Sequence, residues 1–238
     1  MTVERPDGAW LGGMAGERAY CVLAPNPGPM TLDGTNTWVL REPGSDLALV
    51  VDPGPLDEGH LARVLAVVRA AGARVGTVLL THGHADHSAG AARFAELSGP
   101  DVRVRALDPA YRLGSEGLSE GDVVAAGDLV VRVAGTPGHT ADSLSFLVPA
   151  DGAVLTGDTV LGRGSTVVAH PDGQLAAYLE SLDRLHDLAE SGAVTSILPG
   201  HGPVLFDAMS AIERYQEHRA ERLEQVRAAV SAGAVTPR

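Results

Sequence analysis

Val78-Leu79-Leu80-Thr81-His82-Gly83-His84-Ala85-Asp86-His87 runs from an apolar stretch into three histidines and an aspartate within six positions. Val78-Leu79-Leu80 has the pattern of a buried strand, and Ser88 to Phe94 that of a helix. The stretch therefore predicts a strand-loop-helix unit of an α/β fold. In an extended segment alternate side chains share a side, so His82 and His84 can point together. Asp86 and His87 fall on the turn into the helix and can face elsewhere. One short loop can thus supply ligands to two adjacent metal ions, and imidazole with carboxylate suits zinc or a similar divalent metal.

The same grammar recurs three times. Leu129-Val130-Val131-Arg132-Val133 leads to Thr136-Pro137-Gly138-His139-Thr140. Ala153-Val154-Leu155 leads to Thr156-Gly157-Asp158-Thr159, and Ser196-Ile197-Leu198 to Pro199-Gly200-His201-Gly202. Each time an apolar run ends in a glycine-bearing turn that presents one His or Asp. Sites in α/β folds collect at such strand ends.

This set resembles the metallo-β-lactamase superfamily over nearly the whole chain, roughly Gly13 to Leu223, including Thr35-Asn36-Thr37-Trp38 and Val51-Asp52-Pro53-Gly54. The resemblance implies that His82, His84 and His139 hold a first metal ion and Asp86, His87 and His201 a second. Asp158 would bridge both, and Asp52 would brace the histidine loop. It implies an αββα sandwich of two facing sheets with outer helices and the metals along one edge. The implied cofactors are two divalent ions, zinc foremost, with manganese or iron as alternatives. The implied chemistry is attack by a metal-bridging hydroxide on an ester-like or phosphodiester substrate, with Asp86 and Asp158 as catalytic residues. Asp158 also separates branches. True β-lactamases generally lack it, and many use a cysteine at the second metal, whereas the only cysteine here is Cys21. The chain is more similar to glyoxalase II, ribonuclease Z and, above all, the beta-lactamase-like-protein-two branch. That branch shares Gly157-Asp158-Thr159-Val160-Leu161-Gly162 and Tyr215-Gln216-Glu217-His218-Arg219.

Two residues outside the ligand set have expected roles. His170 is a candidate to protonate the leaving group, or else caps the next helix. Arg163, five residues after Asp158, is expected to grip an anionic substrate group.

The formal net charge is -12, and all 18 basic side chains are arginine. That balance opposes non-specific binding to nucleic-acid phosphates. The absence of lysine departs from glyoxalase II, whose glutathione groove is similar in needing lysine and arginine. Expected partners are a small-molecule substrate or single-stranded RNA, with no DNA and no membrane; a homodimer is left open. No apolar run approaches the roughly 20 residues of a membrane span. Met1 to Pro6 lacks a signal-peptide core. One cysteine permits no internal disulfide, so a cytoplasmic location is expected. The rival functions are a glyoxalase II-type thioesterase, a single-strand endoribonuclease and a non-catalytic metal-binding protein.

The pattern divides into two similar halves. The first holds strands at 38–40, 47–51 and 77–80 and a helix from Leu56 to Ala71 ending at Gly72. The second holds strands at 102–104, 129–133, 144–148 and 153–155. A helix from Gln174 to Glu190 follows, with a core stripe of Leu175, Leu179, Leu182, Leu185 and Leu188. Arg105 to Asp128 is expected to be a surface flap. Residues 1–207 form the expected catalytic domain and 208–238 a C-terminal helix. Thr236-Pro237 would start the next helix of a winged-helix-like module, which this chain lacks or has in shortened form.

Overall fold

In a computed structural model the described residues are 9–233 together with the strand Thr2–Glu4. The expectations for Thr236-Pro237 and for Met1, Arg5 and Pro6 lie outside them. The first sheet has seven strands in sequence order: β1 (Thr2–Glu4), β2 (Trp10–Met14), β3 (Ala19–Leu23), β4 (Asn36–Leu40), β5 (Leu47–Val51), β6 (Arg74–Leu79) and β7 (Arg103–Arg105). β1 to β5 pair antiparallel, and β5-β6-β7 pair parallel. The second sheet holds β8 (Val123–Ala126), β9 (Leu129–Gly135), β10 (Leu144–Val148), β11 (Ala153–Gly157) and β12 (Ser196–Pro199), in the order β12-β11-β10-β9-β8. Only β11 and β12 pair parallel there.

Period-2 alternation places the layers. In β5, Leu49 and Val51 face the second sheet, while Ala48 and Val50 face outward. Trp38, Leu79, Val131, Val133, Phe146 and Leu155 fill the layer between the sheets. Outside the first sheet, Leu61, Val64 and Val68 of α1 (Glu58–Ala70) and Phe94 of α3 (Ala91–Ser98) cover Val50 and Val78. Outside the second, Tyr178, Leu182 and Leu185 of α4 (Leu175–Glu190) pack with Ile212 and Tyr215 of α5 (Ala208–Ser231) over Val154 and Ile197. This is the expected αββα sandwich. Full burial of each such apolar side chain contributes about 1.5–3 kcal/mol.

Four details differ from the sequence reading. β7 pairs with β6, so it belongs to the first sheet and not the second half. The flap region contains β8, which closes the free side of β9. The helix after His87 is broken into α2 (Ala85–Ser88) and α3, with Gly90 between them. In α4 the buried face is Tyr178, Ser181, Leu182 and Leu185, and Leu175 is exposed. Asp207, at the expected domain boundary, caps α5 by accepting from the Ser210 N–H. The first turns of α5 share the core of α4. Among the described residues no helix is long and apolar enough to cross a membrane.

Candidate metal centre

The candidate ligands all follow strand ends on one edge of the sandwich. Asp52 follows β5, His82 to His87 follow β6, His139 follows β9, Asp158 follows β11 and His201 follows β12. The two sheets are joined there by the Leu144 N–H donating to the Thr81 carbonyl at 2.8 Å.

The structure brings all seven predicted ligands together in two sets. His82, His84, His139 and Asp158 form one, and Asp86, His87 and His201 the other, with the ligating atoms of each set within 4.8 Å of one another. Nitrogens face nitrogens: His82 Nε2 and His139 Nε2 each lie 3.1 Å from His84 Nδ1, and His87 Nε2 lies 3.3 Å from His201 Nε2. Asp158 stands between the sets. Its Oδ1 is 3.4 Å from His87 Nε2, and its Oδ2 is 3.3 Å from His201 Nε2 and 3.6 Å from His139 Nε2. There is no room for a side chain at Gly200, where an added Cβ would stand 2.5 Å from Asp158 Oδ1.

The outward-facing ring nitrogens are tied down. Thr81 Oγ1 donates to Asp52 Oδ2 at 2.6 Å, so the His82 Nδ1–H donates to Thr81 Oγ1 at 3.0 Å. His87 Nδ1–H donates to Asp52 Oδ2 at 2.8 Å, and the Thr81 N–H to Oδ1 at 2.8 Å. His139 Nδ1–H donates to the Val167 carbonyl at 2.7 Å, and His201 Nδ1–H to that of Gly34 at 3.2 Å. With Nδ1 of His82, His87, His139 and His201 engaged as donors, all four Nε2 atoms face inward, and losing a proton there leaves the tautomer a divalent ion requires. Asp52 takes its place with a φ of 50°, a backbone conformation rare outside glycine.

The electrostatics match that geometry. Burial alone would raise the carboxyls of Asp86 and Asp158, yet His87 and His201 hold both well below the usual range. Burial disfavours charge on His87 and His201, but the carboxylates prevail. Asp158 and Asp52 hold His87 well above its usual value, and Asp158 and Asp86 push His201 up to about 9. Burial and then His87 drive His82 down. The Asp86 side thus attracts positive charge strongly. Asp158 Oδ1 is buried without a hydrogen bond. An orphaned buried carboxylate oxygen is costly unless a cation meets it. The residues fit a pair of divalent ions.

The sequence did not show what several supporting residues hold. Thr35 Oγ1 donates to Asp86 Oδ2 at 3.0 Å. Asn36 Nδ2 donates to the carbonyls of Pro199 and Gly202 at 2.9 and 2.8 Å, and Trp38 Nε1 to that of Pro199 at 3.1 Å. Thr166 Oγ1 donates to the Asp158 carbonyl at 2.5 Å, and Arg219 Nη2 donates to the Thr166 carbonyl at 2.5 Å. The Arg219 guanidinium lies 4.9 Å over the Tyr178 ring. Tyr111, from the flap, sits against Gly83, where an added Cβ would meet its ring at 2.1 Å. Arg163 and His170 stand apart from the ligands. Arg163 Nη1 is bound to Asp33 Oδ2 at 2.6 Å, and His170 is exposed in the loop before α4. Cys21 is buried and donates to Asn36 Oδ1 at 3.2 Å; burial pushes its thiol up.

The model of the metallo-beta-lactamase superfamily matches residues 30–201, which span every one of these ligands. The chain belongs to the metallo-beta-lactamase superfamily. Its two His/Asp clusters are candidate metal sites within that domain. It is 30% identical over 214 residues to the beta-lactamase-like protein 2 homolog of Caenorhabditis elegans, covering 86% of this chain and 68% of that one. It is 33% identical over 214 residues to an atrochrysone carboxyl ACP thioesterase of Aspergillus fumigatus, covering 88% and 64%. A crystal structure of a beta-lactamase domain protein from Burkholderia ambifaria superposes with a TM-score of 0.75 at 27% identity, covering 96% of this chain and 80% of that one. The chain spans 60% to 68% of the length of the curated relatives first matched.

Proposed function

We propose that this metallo-beta-lactamase domain is a dinuclear hydrolase of ester-like substrates, with thioesters as its preferred class. The observation that carries the dinuclear reading is Asp158, whose two oxygens reach both ligand sets. His82, His84, His139 and Asp158 would hold one ion, and Asp86, His87, His201 and Asp158 the other, zinc being the first choice for this donor set. Bound there, the ions supply hydroxide at neutral pH and polarise the substrate oxygen.

The residues of the chain do the rest. Asp52 fixes the His87 tautomer and the histidine loop, and Thr35 orients Asp86. Val167 and Gly34 fix His139 and His201. Among the described residues no Lys, Tyr, Cys or further His is hydrogen-bonded to the seven ligands. None of the hydrogen bonds to the ligands therefore comes from a separate acid. A thiol, with a usual pKa of about 8.5, leaves as thiolate without one, whereas an alkoxide departs poorly. The thioesterase among the relatives agrees with this.

Single-stranded RNA is the second reading, implied by the family resemblance of the sequence and opposed by the net charge of -12. The partner we expect is a small molecule, in a reducing, cytoplasmic setting. The test compares kcat/KM of zinc-loaded protein on an acyl thioester, the matched oxyester, a phosphodiester, single-stranded RNA and a penicillin. The thioester should lead the matched oxyester by tenfold or more, on the order of 1.4 kcal/mol in barrier. Asp158→Asn should lower bound metal and turnover together while circular dichroism stays unchanged. An oxyester as fast as the thioester, or RNA fastest of all, would defeat the thioester assignment. Full turnover and metal content in Asp158→Asn would defeat the bridging role.

A further inference from the structure

We infer that a cavity between α5 and the loop after Asp158 seats an anionic group carried on an apolar body. The cavity is about 430 Å³ and contains none of the seven ligands. Leu161, Leu205 and Tyr215 give it apolar walls, and Arg163, Arg214 and His218 a basic rim. No Asp or Glu lines it, although acidic side chains outnumber basic ones 30 to 18 in the chain. A local concentration of positive groups on an acidic protein marks an anion subsite.

The three basic side chains differ in how far they are committed. Arg163 is held at the rim by Asp33. His218 Nδ1 lies 3.4 Å from Ser165 Oγ. Arg214 has no hydrogen bond or ion pair among the described residues and is felt by Asp207 and Tyr215 only through space. It is the free donor, and its planar fork suits carboxylate or phosphate. Tyr215 is not available as a donor to a ligand, because its hydroxyl donates to the Leu161 carbonyl at 3.5 Å while accepting from the Leu161 N–H at 2.8 Å. It serves as a wall. A bare hydrated anion gains nothing from such walls, whereas a ring or short chain ending in an anion uses both surfaces.

The cavity begins in the loop that follows Asp158, next to the loop that carries His201. Gly162 N–H donates to the His201 carbonyl at 2.9 Å, so the loops carrying Asp158 and His201 are tied together where the cavity begins. The seat would therefore hold the charged end of a substrate beside the reacting bond. That role rests on the hydrolase reading; binding at the seat does not.

The test is calorimetric titration of the zinc-loaded chain with 1-naphthyl phosphate, 1-naphthoate, the neutral 1-naphthalenemethanol and inorganic phosphate. Both naphthyl anions should bind at least several-fold tighter than the neutral alcohol and inorganic phosphate, and their order tells whether phosphate or carboxylate is the natural group. Arg214→Gln and, separately, His218→Gln should each weaken the anions roughly three- to tenfold, the range for a half-exposed charge-assisted contact, with metal content unchanged. Equal binding of the alcohol and the anions would overturn the inference. So would unaltered anion affinity in both variants. If the protein binds the naphthyl anions in this pattern yet hydrolyses no ester, the hydrolase reading has failed and the seat stands.

Discussion

Replacing Asp52 by Asn tests how the centre is held. The carboxylate is buried and accepts three hydrogen bonds, two of them on Oδ2 from Thr81 Oγ1 and His87 Nδ1 and one on Oδ1 from the Thr81 N–H. An asparagine has the same shape and tolerates the positive φ, but it offers one acceptor oxygen. Whichever way the amide turns, its NH₂ meets at least one N–H or O–H. Hydrogen bonds to a charged group contribute about 1.5–3 kcal/mol each, so losing one or two of them costs about 1.5–6 kcal/mol of stability. The larger effect is on His87. Relieved of its acceptor, the ring can move its proton to Nε2 and turn a donor toward His201 and Asp158. Loss of such an outer partner lowers metal affinity by roughly 10- to 100-fold. Chelator competition at neutral pH, followed with thermal unfolding of the same samples, reads both effects. The weakened ion should be the one held by Asp86, His87 and His201. Unchanged affinity for both ions, with unfolding shifted as expected, would show that Asp52 supports the fold and has no hold on the tautomer.

Arg219→Gln removes the donors to the Thr166 carbonyl and Ser165 and the cation over Tyr178. Because Thr166 holds the Asp158 carbonyl, metal affinity at the His139 and Asp158 set should fall on the order of tenfold; a lower melting temperature with unchanged metal affinity would reduce Arg219 to a packing residue. His60 is buried neutral, its pKa pushed down to about 4 by burial first and Arg63 second. The unfolded chain takes up a proton near 6.5, so this group's stability is present above that pH and is lost as pH falls toward 4, at most about 3 kcal/mol. His60→Gln should therefore cost less stability at pH 4.5 than at pH 7 in chemical denaturation, and an equal cost at both would refute the assignment.

The seven ligands were legible because each sits just past an apolar run, where a turn must present polar side chains. The sandwich was implied by the family resemblance that those runs and turns carry. Sheet membership was not. Arg103-Val104-Arg105 carries one buried residue, and only its parallel pairing with Thr77 to Leu79 puts it in the first sheet. Thr35-Asn36-Thr37-Trp38 has the pattern of a strand, but the carbonyls that Asn36 holds lie 163 and 166 residues away. Arg219 has the look of any helix-surface arginine until its partner 53 residues upstream is known. Local pattern encodes burial and turns, whereas such partners are chosen by the folded backbone.

Each ligand set draws from both sheets, and this orders events during synthesis. His201 leaves the ribosome 114 residues after His87. At 5–20 residues per second that is a delay of roughly 6 to 23 s. Throughout it the histidine loop exists without its last partner, and so does Asp158 until β12 docks beside β11. No shorter nascent chain can present the complete set. Whatever ion is captured early by the loop alone is held by a few groups and can exchange; the one selected by the full geometry is chosen last.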